Sequence, residues 1–299
     1  MQSDSRKETR QWKGILMLVL FAFFVAWQTP FARILQNHGV PQIGTVTMLF
    51  VLAAVLINAA DLVTGQAARI YRDGVRHLKV LVPAAVLNFV GSIGLFFSVH
   101  TLNVGVAVAL LYLSPVLICI FFLLTKIRPV PHIQRVAAGI CIFGCLCAVN
   151  VFQTPLAELS VTGILFALLA AASLGGYTLS LDLLVPPELD RRVVVTFVLD
   201  IAAVLSILVY PGMFAEFAHL TLPDIGIFLY LAVVTKLLCL YLLLAGTKIV
   251  GAARSAVIQS LEIPFSLLVA YLTLHQLLSP VQFIGVGLVF LAVILMQKK

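Results

Sequence analysis

The stretch that decides the fold is Gly251 to Thr273, GAARSAVIQSLEIPFSLLVAYLT. About 20 apolar residues, each rising 1.5 Å, cross a bilayer core, and this run is long enough. Its polar residues are ordered. Ser255, Gln259, Glu262 and Ser266 follow at steps of four, three and four, with Thr273 seven further on. At 3.6 residues per turn they share one helical face, while Leu261, Phe265, Leu268 and Ala270 occupy the rest. Hydrocarbon gives such a face nothing to bond, so it must look into protein or a wet cavity. The serines alone suit a helix-packing seam. Glu262, near mid-span and two residues before Pro264, points instead to a solute path.

The rest of the chain is as apolar. Of 299 residues 62% are hydrophobic and 10% charged, with mean hydropathy +1.13; a soluble domain carries roughly 25% charged residues. The composition therefore excludes an ordinary soluble domain and makes the lipid bilayer the chain's main surroundings. The net charge of +7 would suit nucleic acid, but the basic residues are spread over many short loops, and no nucleic-acid partner is expected. Cys119, Cys141, Cys145, Cys147 and Cys239 all fall in apolar runs and form neither a disulfide frame nor a zinc spacing. No metal or cofactor is expected.

Ten spans can be placed, at about 13–36, 41–63, 79–100, 104–125, 133–151, 161–184, 193–211, 223–246, 251–274 and 279–296. A basic tail, 1–12, precedes them, and no small-residue cleavage site follows the first, which reads as a retained helix. The stretch from Gly65 to Lys79 is the longest connection and has room for a short surface helix. With the N-terminus in the cytoplasm, alternating helices put Arg6, Lys7, Arg10, Lys13, Arg69, Arg72, Arg76, Lys79, Lys126, Arg128, Arg135, Arg191, Arg192, Lys248, Arg254, Lys298 and Lys299 on the inner side. That is 17 of the 19 Lys and Arg. The positive-inside rule then places both termini in the cytoplasm of a multi-pass protein of the inner membrane. The two exceptions are Arg33, at the outer end of span 1, and Lys236, in the middle of span 8.

The chain also repeats itself. Gly14-Ile15-Leu16 returns as Gly163-Ile164-Leu165 and Pro115 as Pro264, both shifted by 149. Thr101 to Gly105, TLNVG, resembles Thr247 to Gly251, TKIVG. Two halves, 13–151 and 161–297, joined by an outer linker at 152–160, each hold five helices. An odd number inverts the second half, and inverted repeats mark transporters that bind solute at midplane and rock around it.

Thr101 to Gly139 and Gly246 to Gly285 each run from a short Gly/Ala-rich opening through an apolar run to proline, then on to a Gln and a Gly. In this the chain resembles the EamA family of ten-helix exporters in the drug/metabolite transporter superfamily. The resemblance implies an all-α fold, a central cavity enclosed by helices 1, 3, 4, 6, 8 and 9, and export as the direction. It also implies that helices 5 and 10 stand outside, where their glycines suit a homodimer contact. The family usually places Glu about eleven residues after the repeat proline; here those positions hold Lys126 and His275. Whatever that Glu does does not carry over.

The candidate site residues follow from depth. Lys236 is too deep to snorkel to either surface, and Glu262 is at matching depth in the next helix. A buried Lys–Glu pair either fixes two helices or holds substrate, the Lys taking a carboxylate and the Glu an ammonium group. Ser173, Tyr177 and Ser180 form a weaker stripe around Gly175-Gly176. Trp27 and Gln28 precede Pro30, whose kink exposes carbonyls, although Trp27 equally suits an interfacial belt. Asn88 and Ser92 share a face of span 3. Tyr112 precedes Pro115 and either stacks on a ring or packs in the core. Asp182 and Asp200, near Arg191 and Arg192, read as a gate or an interfacial charge cluster. No hydrolase, zincin or P-loop motif is present, so an enzyme is not expected. The expected activity is export of an amino acid or related zwitterion by alternating access. The alternatives are a drug or riboflavin-like solute and, from another class, a membrane-embedded lipid-modifying enzyme.

Overall fold

Proline and glycine set where the apolar runs break into helices. The computed structural model describes residues 2–102, 104–149, 151, 160–217, 220–274 and 279–297. Residues 152–159, His219, His275, Lys298 and Lys299 lie outside the described residues, as do the side chains of Arg33, His100 and Thr273. All described elements are helical, with no strand among them.

The first half holds α1 (Gln2–Val25), α2 (Gln28–Asn37), α3 (Gln42–Val63), a surface helix α4 (Ala67–Arg76), α5 (Leu78–Thr101), α6 (Val104–Leu111), α7 (Ser114–Thr125) and α8 (His132–Ala148). The basic tail, read as separate, continues α1: it has no glycine or proline before Gly14, and Arg6, Lys7, Glu8, Arg10 and Gln11 are good helix formers. The second half holds α9 (Val161–Leu183), α10 (Arg191–Val209), a short α11 (Met213–Phe217), α12 (Leu222–Tyr230), a π segment (Leu231–Leu238), α13 (Cys239–Val250), α14 (Ala252–Gln259), α15 (Glu262–Leu274) and α16 (Pro280–Gln297). Among the described residues six helical runs are long and apolar enough to cross a membrane, and Ser114–Thr125, His132–Ala148 and Pro280–Met296 are shorter apolar helices. The outward side chains match lipid: Val63, Leu124, Leu208 and Phe283 are all more than half exposed.

Three of the expected unbroken spans are broken. Pro115 and Pro264 each lack an N–H, and the chain bends just before them, between α6 and α7 at Tyr112-Leu113 and between α14 and α15 at Ser260-Leu261. Pro30 likewise separates α1 from α2 and cannot bond the carbonyl of Ala26. Ser266 Oγ donates to that carbonyl at 3.1 Å. Gly251 joins α13 to α14 at φ +85, a conformation that a side chain would strain.

The repeat seen in sequence is also a repeat in packing. α1 lies along α13 as α5 lies along α9, α3 packs on α10, and α8 packs on α16. A Cβ at Gly14 would strike Ile249 and Val250, and one at Gly163 would strike Thr101 and Leu102. Gly144 and Gly285 let α8 and α16 meet backbone to backbone: a Cβ on Gly285 would collide with the main chain of Ala148 and Gly144. Those two glycines are thus occupied within the chain, while Gly139 and Gly287 have open space beside them.

Charges gather at the helix ends. At the basic end Asp182 accepts from Arg128 Nη1 (2.8 Å) and from the Ala252 N–H that opens α14 (2.9 Å). Lys248 donates to the carbonyls of Asp182 and Val185. Asp61, fully buried, accepts from Arg192 and from Thr196 Oγ1. Asp200 accepts from Asn58 Nδ2 (2.6 Å) and from the Tyr71 hydroxyl (2.7 Å), which fastens α4 to the bundle. Burial and then the Asp200 carboxylate raise the Tyr71 phenol above its ordinary range, so it remains a donor. The expected cluster is therefore present, but Arg191 and Arg192 are not the partners of Asp182 and Asp200. At the opposite end His38 Nδ1 meets Asp224 Oδ1 at 2.6 Å and Tyr210 donates to Glu216.

Candidate functional site

The site is built around the π segment. There each N–H reaches back five residues instead of four, which inserts a residue into the turn, and Thr235 Oγ1 donates to the Leu231 carbonyl at 2.6 Å. Thr235 and Lys236, adjacent in this segment, both line one cavity. That cavity, about 150 Å³, lies between α1, α5, α9, the π segment and α13, with Gln28, Asn88, Ser92 and Tyr177 also on its wall. A second cavity of about 330 Å³ shares Gln28, Ser92, Leu95 and Lys236 and continues past Thr45 to Gln36 and Gln42. Gln36 is exposed, near the end that carries His38. The combined space runs from mid-depth towards that end.

Lys236 stands at the junction. Its Nζ lies 4.4 Å from the centre of the Phe50 ring, whose residue is fully buried. The expected ion pair with Glu262 is not made: no Lys236 nitrogen comes within 4.0 Å of that carboxylate. Magnitudes show what this leaves open. A cation on an aromatic face gains roughly 0.5–2 kcal/mol, whereas removing an ion from water costs several kcal/mol. The ring does not offset the desolvation, so the charged form of Lys236 needs water or an anion in the cavity to complete its shell.

Glu262 has another partner. It opens α15, and its Oε2 accepts from the Tyr112 hydroxyl at 2.8 Å. Tyr112 sits in the break between α6 and α7, so this bond ties the two proline breaks to each other. Neither residue lines the two cavities around Lys236.

The polar face that opened the sequence reading is mostly a seam. Ser255 Oγ is 2.7 Å from Thr247 Oγ1, Gln259 Nε2 donates to Ser255 Oγ at 3.2 Å, and both Ser255 and Gln259 are buried. Ser266 is used by Ala26. Periodicity correctly set these residues on one face, but that face meets α13 and α1 instead of a solute path. Trp27 stands at the break before α2, its ring 5.8 Å from Phe31 and off the cavity walls. Of the candidates, Lys236, Gln28, Asn88 and Tyr177 come together at the cavity. Glu262, Tyr112, Gln259, Ser255, Ser266 and Trp27 do not. Sequence reading missed Thr45, Gln36, Gln42 and Thr235; a π segment has no sequence signature by which Thr235 might be found.

Among the described residues, an all-helical bundle with an apolar exterior and one cation in a largely apolar interior cavity defines a multi-pass membrane protein with room inside for a solute. The chain belongs to the EamA-like transporter family, whose sequence model matches residues 12–150 and again 161–297. A solved structure described as "Crystal structure of protein" shares the fold, with a TM-score of 0.75 over 97% of this chain and 97% of that chain at 17% identity. No curated protein matches the chain.

Proposed function

We propose that the protein is a secondary transporter that exports a small carboxylate-bearing metabolite across the inner (cytoplasmic) membrane by alternating access. Ten spans in two inverted five-helix repeats form the carrier, with both termini in the cytoplasm. The family is one of transporters, and the matched packing of α1 on α13 with α5 on α9 supports a pseudo-two-fold axis in the membrane plane. The observation that carries the substrate reading is Lys236: a cation at mid-depth in a largely apolar cavity, with no acidic partner within 4.0 Å. Amino acids and related zwitterions belong to this cargo class.

The structure as it stands supports an open path towards the end bearing His38 and a closed basic end, where Asp182, Arg128 and Lys248 tie α7, α9, α13 and α14 together. A bulkier drug or riboflavin-like solute is the second reading. It is favoured by an apolar cavity of about 410 Å³ between α5, α7 and α9, which shares Leu87 with the Lys236 cavity. A second copy would dock on the outward faces of α8 and α16, beside Phe143 and Phe290.

The test is flux in liposomes holding the purified protein. Counterflow of labelled amino acids, lost in Lys236→Met, is the expected result. Undiminished counterflow in that variant would remove the cavity from the mechanism. Tags on both ends should be reached only from the cytoplasmic side.

A further inference from the structure

We propose that the cargo is read as one carboxylate on an apolar body, and that an amino group, where the cargo has one, is not recognised. This rests on the reading that the Lys236 cavity holds the cargo. Among the described residues, Lys236 is the one charged side chain on the walls of its two cavities, and no Asp or Glu lines either. A carboxylate thus finds its counter-ion, whereas an ammonium group finds none and would sit near a like charge.

Sequence reading gave the ammonium end to Glu262. The structure takes that carboxylate away: it is bonded to Tyr112 at 2.8 Å and lies off the cavity walls. What remains for hydrogen bonding is neutral. Ser92 already donates to the Asn88 carbonyl at 3.0 Å, Thr235 to that of Leu231, and the Asn88 side chain is bonded to the Tyr177 hydroxyl, which leaves the Gln28 amide as the main group for a ligand near the cation. A dianion would leave one charge without a partner.

The walls beyond the cation are apolar. Val46, Leu49, Leu95, Phe96, Val99 and Val108 surround the roomier cavity of about 330 Å³. Such walls favour a hydrocarbon or ring body in proportion to the area it buries. They give a second charged group nothing in return for its lost water.

The test uses the full-length protein purified in detergent, with three probes of one carbon skeleton: 4-methylpentanoate, leucine and 3-methylbutylamine. The readout is the shift of the thermal unfolding midpoint as each probe is titrated. The acid should give the largest shift, leucine, whose ammonium group must also be desolvated near a cation, a smaller one, and the amine none; a shift with leucine as large as with the acid would count against the inference. Lys236→Arg, which keeps a cation, should retain the shift, and Lys236→Met should lose it. Ser92→Leu fills the cavity from α5 and should also lose it, which covers a Lys236→Met protein that does not fold. A shift with leucine alone, a shift with the amine, or no shift with any probe would overturn the inference. Equal shifts in wild type, Lys236→Met and Ser92→Leu would instead overturn the assignment of the site itself.

Discussion

The separation of Lys236 from Glu262 can be tested as an energy. In a double-mutant cycle, Lys236→Met and Glu262→Gln are made singly and together, and unfolding is followed in mixed micelles. Lys236→Met loses roughly 0.5–2 kcal/mol of attraction to the Phe50 ring, but also relieves the burial of an ion, so its net effect should be within about 1 kcal/mol of zero. Glu262→Gln keeps an acceptor for the Tyr112 hydroxyl. It exchanges a bond to a charged group, about 1.5–3 kcal/mol, for a neutral one of about 0.5–1.5 kcal/mol, a loss of about 1 kcal/mol. A closed buried pair would appear as about 3–5 kcal/mol lost on removing either member and recovered in the double variant. Because no such contact exists, the coupling term should be no more than about 1.5 kcal/mol. Lys236→Met should fold in the micelles and lose transport once reconstituted in liposomes, while Glu262→Gln should fold and still bind cargo. A coupling term of 3 kcal/mol or more, or unfolding of Lys236→Met rescued by Glu262→Gln, would refute the geometry.

Three further outcomes are expected. Cysteines placed at Gln28, Asn88 and Ser92 should react with small water-soluble thiol reagents, and those at Ser255 and Gln259 should not; the reverse pattern would restore the polar face as the solute path. Asp182→Ala removes an acceptor from Arg128 and from the first N–H of α14, and should destabilise by about 2–4 kcal/mol, while Asp182→Asn, which keeps an oxygen for the helix, should lose about half as much; equal losses would deny the capping role. Gly285→Ala meets main chain and should cost about 1–3 kcal/mol, whereas Gly287→Ala, with open space beside it, should be neutral or stabilising by up to about 1 kcal/mol in a helix; thermal unfolding of the two variants checks this.

What was legible in the sequence was whatever depends on local order and depth. The Gly14 and Gly163 repeat reported real packing, because a missing Cβ is needed wherever two helices cross closely, and the same crossing occurs twice. The prolines at 115 and 264 were legible as a repeat, but the helix breaks that precede them were not drawn: both spans were placed unbroken. Lys236 stood out because a charge in mid-span has few structural uses. What stayed hidden were the partners. Which carboxylate faces which cation depends on how helices are rotated against one another, so Asp61 with Arg192 and Asp182 with Arg128 were beyond reach. The same ignorance misjudged Ser255 and Gln259: a period of 3.6 says that residues share a face, never what lies opposite.

The π segment has a consequence for energetics. In a carrier made of two inverted copies, the inward and outward states exchange the conformations of the halves, and identical halves would make those states equal in energy. Here the halves are not identical. The second carries the widened turn with Lys236, while the corresponding part of α5 is an unbroken α-helix despite Pro83. The ties through Asp61, Asp182 and Asp200 also lie at one end only. If the protein works as the inverted-repeat carrier proposed above, this degeneracy is lifted and the empty protein has a preferred resting state. On the same proposal, a cargo anion on Lys236 would act on a tilted two-state balance and supply, through its better fit to one state than the other, the free energy to cross it.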